Sequence, residues 1–234
     1  MEDLTSRLTH LWRLLKWGRI LARHGALLGI EQSPVAPAGV RRLARIARLG
    51  AFLPKTPDYA GAFEKIGPAA IKLGQTLATR PDLVGEDAAR DLQRLQDTLP
   101  ALSFDKVKAA VEQSLDAPLD SLFQSIDPEP VGAASVAQVH KAVTSDGRTV
   151  AVKILRPGIE AKFASDIETY EWIAAHAAAR GGELARLRPR EVIATFKQWT
   201  LRELDLRREA AAASELRAMM RAEDGYVVPE IDWK

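Results

Sequence analysis

The chain has 234 residues, of which 47% are hydrophobic and 27% are charged, a composition typical of a folded globular protein. It contains no cysteine, which excludes disulfide bonds and thiolate metal sites, and its four histidines lack metal-ligand spacing. The net charge is +2, but residues 1–55 carry ten Lys or Arg against three Asp or Glu, a balance of +7 that leaves −5 for the remainder. The basic amino end therefore favours an anionic partner.

Residues 1–30 are predicted to form a basic amphipathic helix. Its apolar side chains recur at helical spacing: Leu8, Leu11, Trp12, Leu15, Trp17, Ile20 and Leu21. A basic stripe lies beside them: Arg13, Lys16, Arg19 and Arg23. Two interpretations stay open, because such a helix either lies on an anionic membrane surface through residues 4–30 or packs on its own protein. No apolar run is long enough to cross a bilayer, and no nucleic-acid recognition motif accompanies the arginines.

Residues 31–59 are predicted to be a Pro-rich linker followed by a short basic helix, and residues 60–127 a helical extension. Within the stretch 63–77, Pro68 is expected at the start of a helix, and Lys72 and Gln75, three residues apart, share one face of that helix. Further helices are expected at 87–99 and, capped by Ser103, at Phe104–Leu115. A helical or turn segment is expected at 116–127.

A β-hairpin is predicted near the start of a second unit, residues 128–234. Its strands are residues 136–143 and Thr149–Leu155, and Asp146-Gly147 between them is a strong turn signal. Small residues lead into the first strand, and Lys153 lies inside the apolar second strand in the tetrapeptide V-A-V-K. Helices are expected at 162–179 and 190–220, the second stacking Asp205 and Glu209 on one face, and a last strand at 226–233.

The hairpin allows two interpretations. Small residues let a backbone approach phosphate groups closely, and a lysine one hairpin later can neutralise those phosphates, as in protein kinases. The other interpretation is an ordinary surface hairpin whose lysine reaches into water, which a short motif alone does not exclude.

Four blocks along the chain carry a more specific signal: Lys72-Leu73-Gly74-Gln75, A-A-S-V-A-Q-V-H at 133–140, V-A-V-K followed by I-L-R-P-G-I, and E-L-D-L-R-R-E-A at 203–210. In this order they resemble the UbiB family of atypical protein-kinase-like proteins, which is linked to ubiquinone biosynthesis. The resemblance covers residues 60–234. The H-R-D-x-x-x-x-N and D-F-G motifs of a second kinase lobe do not occur in the chain, so an amino-terminal fragment of such a protein is expected.

The resemblance implies an α+β fold: a helical amino-terminal extension followed by a kinase-like small lobe with an antiparallel sheet, the second lobe being absent. It implies that Lys153 pairs with Glu209 and that the acids of the E-x-D signature face Lys72. The helix with Lys72 and Gln75 would lie over the nucleotide pocket, with both side chains facing it. The catalytic residues implied are therefore Lys153, Glu209, Lys72, Gln75, Glu203 and Asp205.

ATP is the implied cofactor, held by Lys153 and by an alanine-rich loop: Gly132, Ala133, Ala134, Ser135 and Val136. Mg²⁺ ligands are expected in the second lobe, and no metal site is expected in this chain. Gly132 stands where many relatives have alanine, a departure that bears on nucleotide preference.

The implied function is an atypical kinase or ATPase that supports ubiquinone biosynthesis as a peripheral protein at the cytoplasmic face of the inner membrane. Its implied partners are the anionic membrane and a polyprenyl or quinone-like lipid or other biosynthetic proteins, without nucleic acid. The fragment alone is expected to turn nothing over. The alternative is a non-catalytic lipid- or protein-binding scaffold of a ubiquinone biosynthesis complex.

Overall fold

The computed structural model describes residues 4–32, 38–50, 54, 56–96, 100–220 and 225–233. The helices of the amino-terminal half are α1 (Leu4–Arg23), α2 (Leu27–Gln32), α3 (Ala38–Ala47), α4 (Tyr59–Ile66), α5 (Pro68–Ala78), α6 (Pro81–Val84), α7 (Glu86–Leu92), a 3-10 turn (Gln93–Gln96), α8 (Phe104–Leu115) and α9 (Leu119–Leu122). The strands are β1 (Phe123–Ile126), β2 (Gly132–Ala133), β3 (Ala137–Thr144) and β4 (Thr149–Leu155). The remaining helices are α10 (Ile159–Ala179), α11 (Gly182–Arg186), α12 (Pro189–Leu204) and α13 (Leu206–Met219).

The four strands form an antiparallel sheet in which β3 is central. One edge of β3 pairs with β1 and β2, and its other edge pairs with β4 along its whole length. The β3–β4 turn contains Gly147 at φ +87°, a conformation that glycine adopts without steric cost. The predicted hairpin is thus confirmed, and its register sets Lys153 opposite Val139.

Helix α10 is the centre of the main core. The buried side chains of this core are Trp17, Ala69, Ile159, Phe163, Ile167, Tyr170, Phe196 and Leu204, contributed by α1, α5, α10 and α12. Val136 and Leu155 pack against the same cluster, so this core attaches one face of the sheet to the helices. The helix expected at 162–179 therefore buries one face, which carries Phe163, Ile167 and Tyr170.

The opposite face of the sheet packs on α8 and α9. Val107, Val111 and Leu119 are buried there against Ile154 of β4. Side chains alternate along a strand, so Ile154 and Lys153 point to opposite faces of the sheet. Helix α8 therefore closes the face that lies away from Lys153.

Helices α4, α5 and α7 and the 3-10 turn form a third cluster, which positions the K-x-G-Q helix. Pro68 begins α5, as predicted, because its missing N–H has no partner to lose at a helix start. A Cβ on Gly74 would collide with Leu95 and lie 2.7 Å from Phe63 Cδ1, so a larger residue there would force these packed side chains to shift.

Helix α1 packs on the protein through one side and exposes the other. Trp17 and Ala22 are buried, and Arg13 donates to Thr169 Oγ1 (3.1 Å) and to Ser165 on α10. The predicted apolar stripe faces outward instead: Leu8, Leu11, Trp12 and Leu15 are all exposed. None of the helices in the described ranges combines the length and hydropathy needed to cross a membrane.

Three predictions of secondary structure are wrong. Within the segment predicted as helix or turn, β1 pairs with β3 through Ile126 and Ala142, so the sheet begins before residue 128. The long helix predicted at 190–220 is interrupted at Asp205, whose φ and ψ of −91° and 88° are not helical. Residues 225–233 form no strand, since no strand in the described part of the chain pairs with them.

Candidate functional site

An ion pair joins the sheet to α13. Lys153 projects from β4 on the face away from α8, and its Nζ lies 2.7 and 2.6 Å from Glu209 Oε1 and Oε2. The side chains are 40% and 58% exposed, so the pair is in contact with solvent. The pairing expected between these two residues is present, and both carboxylate oxygens hold the ammonium in one position.

A second ion pair joins the K-x-G-Q helix to the end of α12. Lys72 Nζ donates to Glu203 Oε1, a contact that spans 131 residues of sequence. The Lys72 side chain is 23% exposed, so it is more enclosed than Lys153. The structure therefore brings Lys72 to the first acid of the E-x-D signature, as the resemblance implied.

Asp205, the second acid of that signature, occupies a different position. Its Oδ1 accepts a hydrogen bond of 3.2 Å from the Arg207 backbone N–H, which caps the amino end of α13. No ion pair between Asp205 and Lys72 occurs in the described residues. The helix is interrupted here, and the Asp205 carboxylate accepts from an N–H of α13 that has no intrahelical partner. Asp205 and Glu209 therefore do not stack in one continuous helix.

Gln75 does not face the site, contrary to the expectation. Its Nε2 donates 2.8 Å to the backbone carbonyl of Leu95 at the 3-10 turn. Lys72 and Gln75 are about 60° apart around the helix, since each residue turns about 100°. That difference directs Lys72 toward Glu203 and Gln75 toward the α7 side of α5.

The alanine-rich loop is a tight connection between β2 and β3. Gly132 and Ala133 pair with β3, and the Ala134 N–H donates 2.8 Å to Ala137 O, which closes the turn. The Ala134 N–H is therefore used within the hairpin and does not point into open space. Nothing lies within 4 Å of a Cβ built on Gly132, so the alanine of many relatives would fit there.

Arg156 anchors this loop, a role that the sequence reasoning missed. Its Nε donates 2.9 Å to Ala134 O, its Nη2 donates 2.9 Å to Pro100 O, and its backbone N–H donates to Val136 O. Burial lowers the pKa of the Arg156 guanidinium below its usual range. Its position in the sequence could have indicated this role. Arg156 directly follows β4, whose end pairs with the start of β3, next to the alanine-rich loop.

A buried polar network supports the sheet behind the loop. Gln138 Oε1 accepts 2.9 Å from the Leu102 N–H, and Gln138 Nε2 lies 2.6 Å from His140 Nε2. His140 Nδ1 lies 2.7 Å from Asp127 O, so Nδ1 carries the proton and Nε2 accepts from the Gln138 amide. Both side chains are at most 1% exposed, and their polar groups satisfy one another.

The residues present fit one part of a nucleotide site. Lys153, held by Glu209 on an open face, is placed as kinases place the lysine that contacts nucleotide phosphates. The described residues contain no group of three His, Asp or Glu side chains arranged to hold a metal ion. The geometry therefore makes Lys153 the candidate phosphate-contacting residue of this site.

Comparisons with known proteins show the family to which the sequence is similar. Residues 94–234 match the family model of the ABC1 atypical kinase-like domain. Two similar relatives are "Probable protein kinase UbiB" of Marinobacter nauticus, 41% identical over 172 residues (74% of this chain, 31% of the relative), and of Aeromonas salmonicida, 38% identical over 196 residues (80% and 36%). A solved complex of Rv3197 with erythromycin from Mycobacterium tuberculosis is 32% identical and covers 70% of this chain and 41% of its own, with a TM-score of 0.43.

The chain spans about a third of the length of these curated relatives. The α+β class with a kinase-like small lobe behind helices is confirmed by the sheet and by the matching family model. The four motifs and these matches together place the chain in the UbiB group, and it belongs to the ABC1 atypical kinase-like family.

Proposed function

We propose that this chain provides the small lobe of a UbiB-type atypical kinase or ATPase that binds ATP and supports ubiquinone biosynthesis. The observation that carries the proposal is the two-oxygen contact between Glu209 and the Lys153 ammonium, at 2.6 and 2.7 Å. A relative's name, "Probable protein kinase UbiB", supports the same reaction class.

The ion pair contributes little to stability, so we assign it a positioning role. Solvent-exposed lysine–carboxylate pairs contribute about 0–1 kcal/mol, and this pair is roughly half exposed. Holding an ammonium in a fixed place is instead what phosphoryl transfer requires. Bound MgATP would supply the phosphoryl group, while Lys153 orients its phosphates and Glu209 orients Lys153.

The Lys72–Glu203 pair places α5 beside the same region. Glu203 lies in the last turn of α12, which ends at Leu204, and α13, which carries Glu209, starts at Leu206. An α5 helix held at this end of α12 would narrow the approach to Glu209 and so restrict large substrates. This favours a small acceptor, or water, over a protein chain as the target of phosphoryl transfer.

The first experiment tests nucleotide binding and turnover by the 234-residue chain. Equilibrium binding of ATP should be weak and should weaken further in Lys153→Ala. Lys141→Ala is the matched control, because Lys141 is an exposed lysine on the neighbouring strand, opposite Ala151. Robust ATP hydrolysis that depends on Lys153 would contradict the expectation that the chain alone is inactive.

The second experiment separates an enzyme from a scaffold. Lys153→Ala and Lys141→Ala are introduced on the chromosome, and ubiquinone is quantified in the cells together with the level of the protein. Loss of ubiquinone in Lys153→Ala at a normal protein level supports the enzyme. Normal ubiquinone in Lys153→Ala would leave the non-catalytic lipid- or protein-binding scaffold as the function.

We propose also that α1 places the protein at the cytoplasmic face of the inner membrane as a peripheral protein. The exposed stripe contains Trp12, with 73% of its surface free, and Leu15, with 67% free. Lys16 and Arg19 are exposed beside it, and basic side chains next to an apolar stripe favour anionic lipid. The same helix keeps Trp17 in the core, so docking needs no rearrangement of the fold.

Flotation with anionic and zwitterionic vesicles at low and high salt tests this placement. Trp12→Ser should reduce flotation with anionic vesicles, whereas Trp199→Ser, at an exposed tryptophan on α12, should not. High salt should weaken binding, because screening shortens the reach of the surface charges. Equal binding to both kinds of vesicle at both salt concentrations would contradict electrostatic docking.

A further inference from the structure

A cavity lies where the tip of the alanine-rich loop meets the helices that precede the sheet. Its volume is about 380 Å³, and Ser135 of the loop, Leu102 and Ile71 are part of its wall. Small-molecule sites generally have volumes of roughly 300–1,000 Å³, so this cavity suits a small ligand. Neither Lys153 nor any residue of α13 lines it, so it meets the candidate nucleotide site only at Ser135 of the alanine-rich loop.

The wall of the cavity is strongly cationic. Three basic side chains line it, Lys106 from α8, Arg156 after β4 and Lys162 from α10, against the single carboxylate of Glu64. In the described ranges, no carboxylate lies within ion-pairing distance of Lys106 or Lys162. Asp166, one turn along α10 from Lys162, influences it electrostatically but does not line the cavity.

Arg156 adds a charge that the protein itself does not neutralise. Its hydrogen bonds go to two neutral carbonyl oxygens, of Ala134 and Pro100, and not to a carboxylate. The residue is partly buried, and a buried charge is costly unless an opposite charge accompanies it. None of the described hydrogen bonds uses Nη1, so this nitrogen remains able to donate to a ligand.

We propose that this cavity binds a phosphate monoester with a small apolar substituent. The three cations match a phosphate dianion, and the guanidinium and ammonium groups are its usual partners in proteins. Ile71, Leu102 and Ile159 supply an apolar wall for the substituent. Because Arg156 also holds Ala134 O, the ligand lies against the residue that fixes the alanine-rich loop.

Calorimetric titration of the 234-residue chain tests the proposal, with phenyl phosphate, inorganic phosphate and phenol as probes. Phenyl phosphate should bind with saturation and more tightly than either of the other two, since only it uses both the cations and the apolar wall. Lys106→Gln and Lys162→Gln should each weaken binding roughly five-fold, the effect of a partly hydrated unit charge about 4 Å from the anion. The absence of saturable binding of phenyl phosphate would overturn the proposal.

Two further variants fix the location. Lys108→Gln removes the same charge from the same helix outside the cavity and should change the affinity less than two-fold. Lys153→Ala should leave phenyl phosphate binding unchanged, so this result does not depend on the nucleotide site. Loss of binding in Lys153→Ala with normal binding in Lys106→Gln and Lys162→Gln would overturn the proposal.

A competition experiment identifies the source of the phosphate group. Monomeric dihexanoyl phosphatidic acid that displaces phenyl phosphate at a lower concentration than phenyl phosphate itself would assign a lipid headgroup. Weaker displacement would assign a soluble phosphate ester. Both results require binding in this cavity, so the same competition is measured with Lys162→Gln, in which phenyl phosphate binding should be weaker.

Discussion

The two faces of the sheet are built differently. On the α8 face, Gln138 and His140 are at most 1% exposed, and Ile154 is 7% exposed. On the other face, Lys153 and Glu209 meet with about half of their side-chain surface in water. The same strands therefore combine a face closed by α8 with a face that, beside the core contact of Leu155, presents charge to solvent.

The difference separates residues that stabilise the lobe from residues that serve a ligand. On the closed face, Gln138 and His140 hydrogen-bond to each other and to backbone groups, so the loss of either leaves a buried polar group unsatisfied. Water replaces a lost partner on the open face at little cost. Substitutions on the two faces should thus change different measurements.

The largest effect is expected for Gln138→Leu on the closed face. It leaves the Leu102 N–H and His140 Nε2 without partners, which should lower the free energy of unfolding by about 2–4 kcal/mol. Urea denaturation measures it. Lys141→Gln, on the same strand but exposed, is the control and should change stability by less than about 0.5 kcal/mol. Equal effects of the two substitutions would remove the distinction between the faces.

An intermediate effect is expected for the Lys72–Glu203 pair, which is more enclosed than the pair on the open face. A double-mutant cycle with Lys72→Met and Glu203→Gln should give a coupling energy of about 1 kcal/mol. Salt should reduce this coupling only slightly, because Lys72 is partly shielded from solvent. A coupling energy of zero would mean that α5 is held by apolar packing alone.

A smaller effect is expected for Lys153 and Glu209. The cycle with Lys153→Met and Glu209→Gln should give a coupling energy below about 0.5 kcal/mol, and salt should abolish it. A coupling energy above 2 kcal/mol would show that the open face contributes to stability as the closed face does.

The smallest effect concerns the turn that joins the two central strands. Hydrogen bonds from the Thr144 hydroxyl and from Arg148 lower the pKa of Asp146 to about 2. A lowered folded-state pKa stabilises the fold above the unfolded value of 3.8, and the stabilisation is lost as pH falls toward 2. Stability of the chain and of Asp146→Asn should therefore differ at pH 6 and converge near pH 2. A difference that is constant over this range would contradict the lowered pKa.

The hairpin and α10 were predictable because their signals are local. Alternating β-branched residues and Gly147 specify the hairpin, and the spacing of Phe163, Ile167 and Tyr170 specifies the buried face of α10. Strand β1 was not predictable, because its four residues form a strand only through pairing with β3. Residues 226–233 show the converse: a strand-like composition without a pairing partner in the described part of the chain.

The contacts of the site are not local, so spacing and composition did not predict them. The Lys153–Glu209 and Lys72–Glu203 contacts were accessible only through the resemblance of four motifs to a family, since each joins residues far apart in sequence. The resemblance implied that Gln75 faces the nucleotide pocket, but its amide donates to the Leu95 carbonyl, a contact that helical spacing could not reveal. Asp205 was predicted wrongly because no Pro or Gly marks the interruption that it caps.

Because the helix is interrupted at Asp205, Glu203 and Glu209 lie on separate helices, α12 and α13. Helix α12, which ends at Leu204, packs in the core through Phe196 and Leu204, whereas α13 has no buried side chain between Leu206 and Met219. An element with so few contacts opens at low free energy, so amide hydrogens of α13 should exchange well before those of α12. Glu209, the partner of Lys153, thus lies on a weakly packed helix that can pivot at Asp205. A small displacement of α13 would separate Glu209 from Lys153.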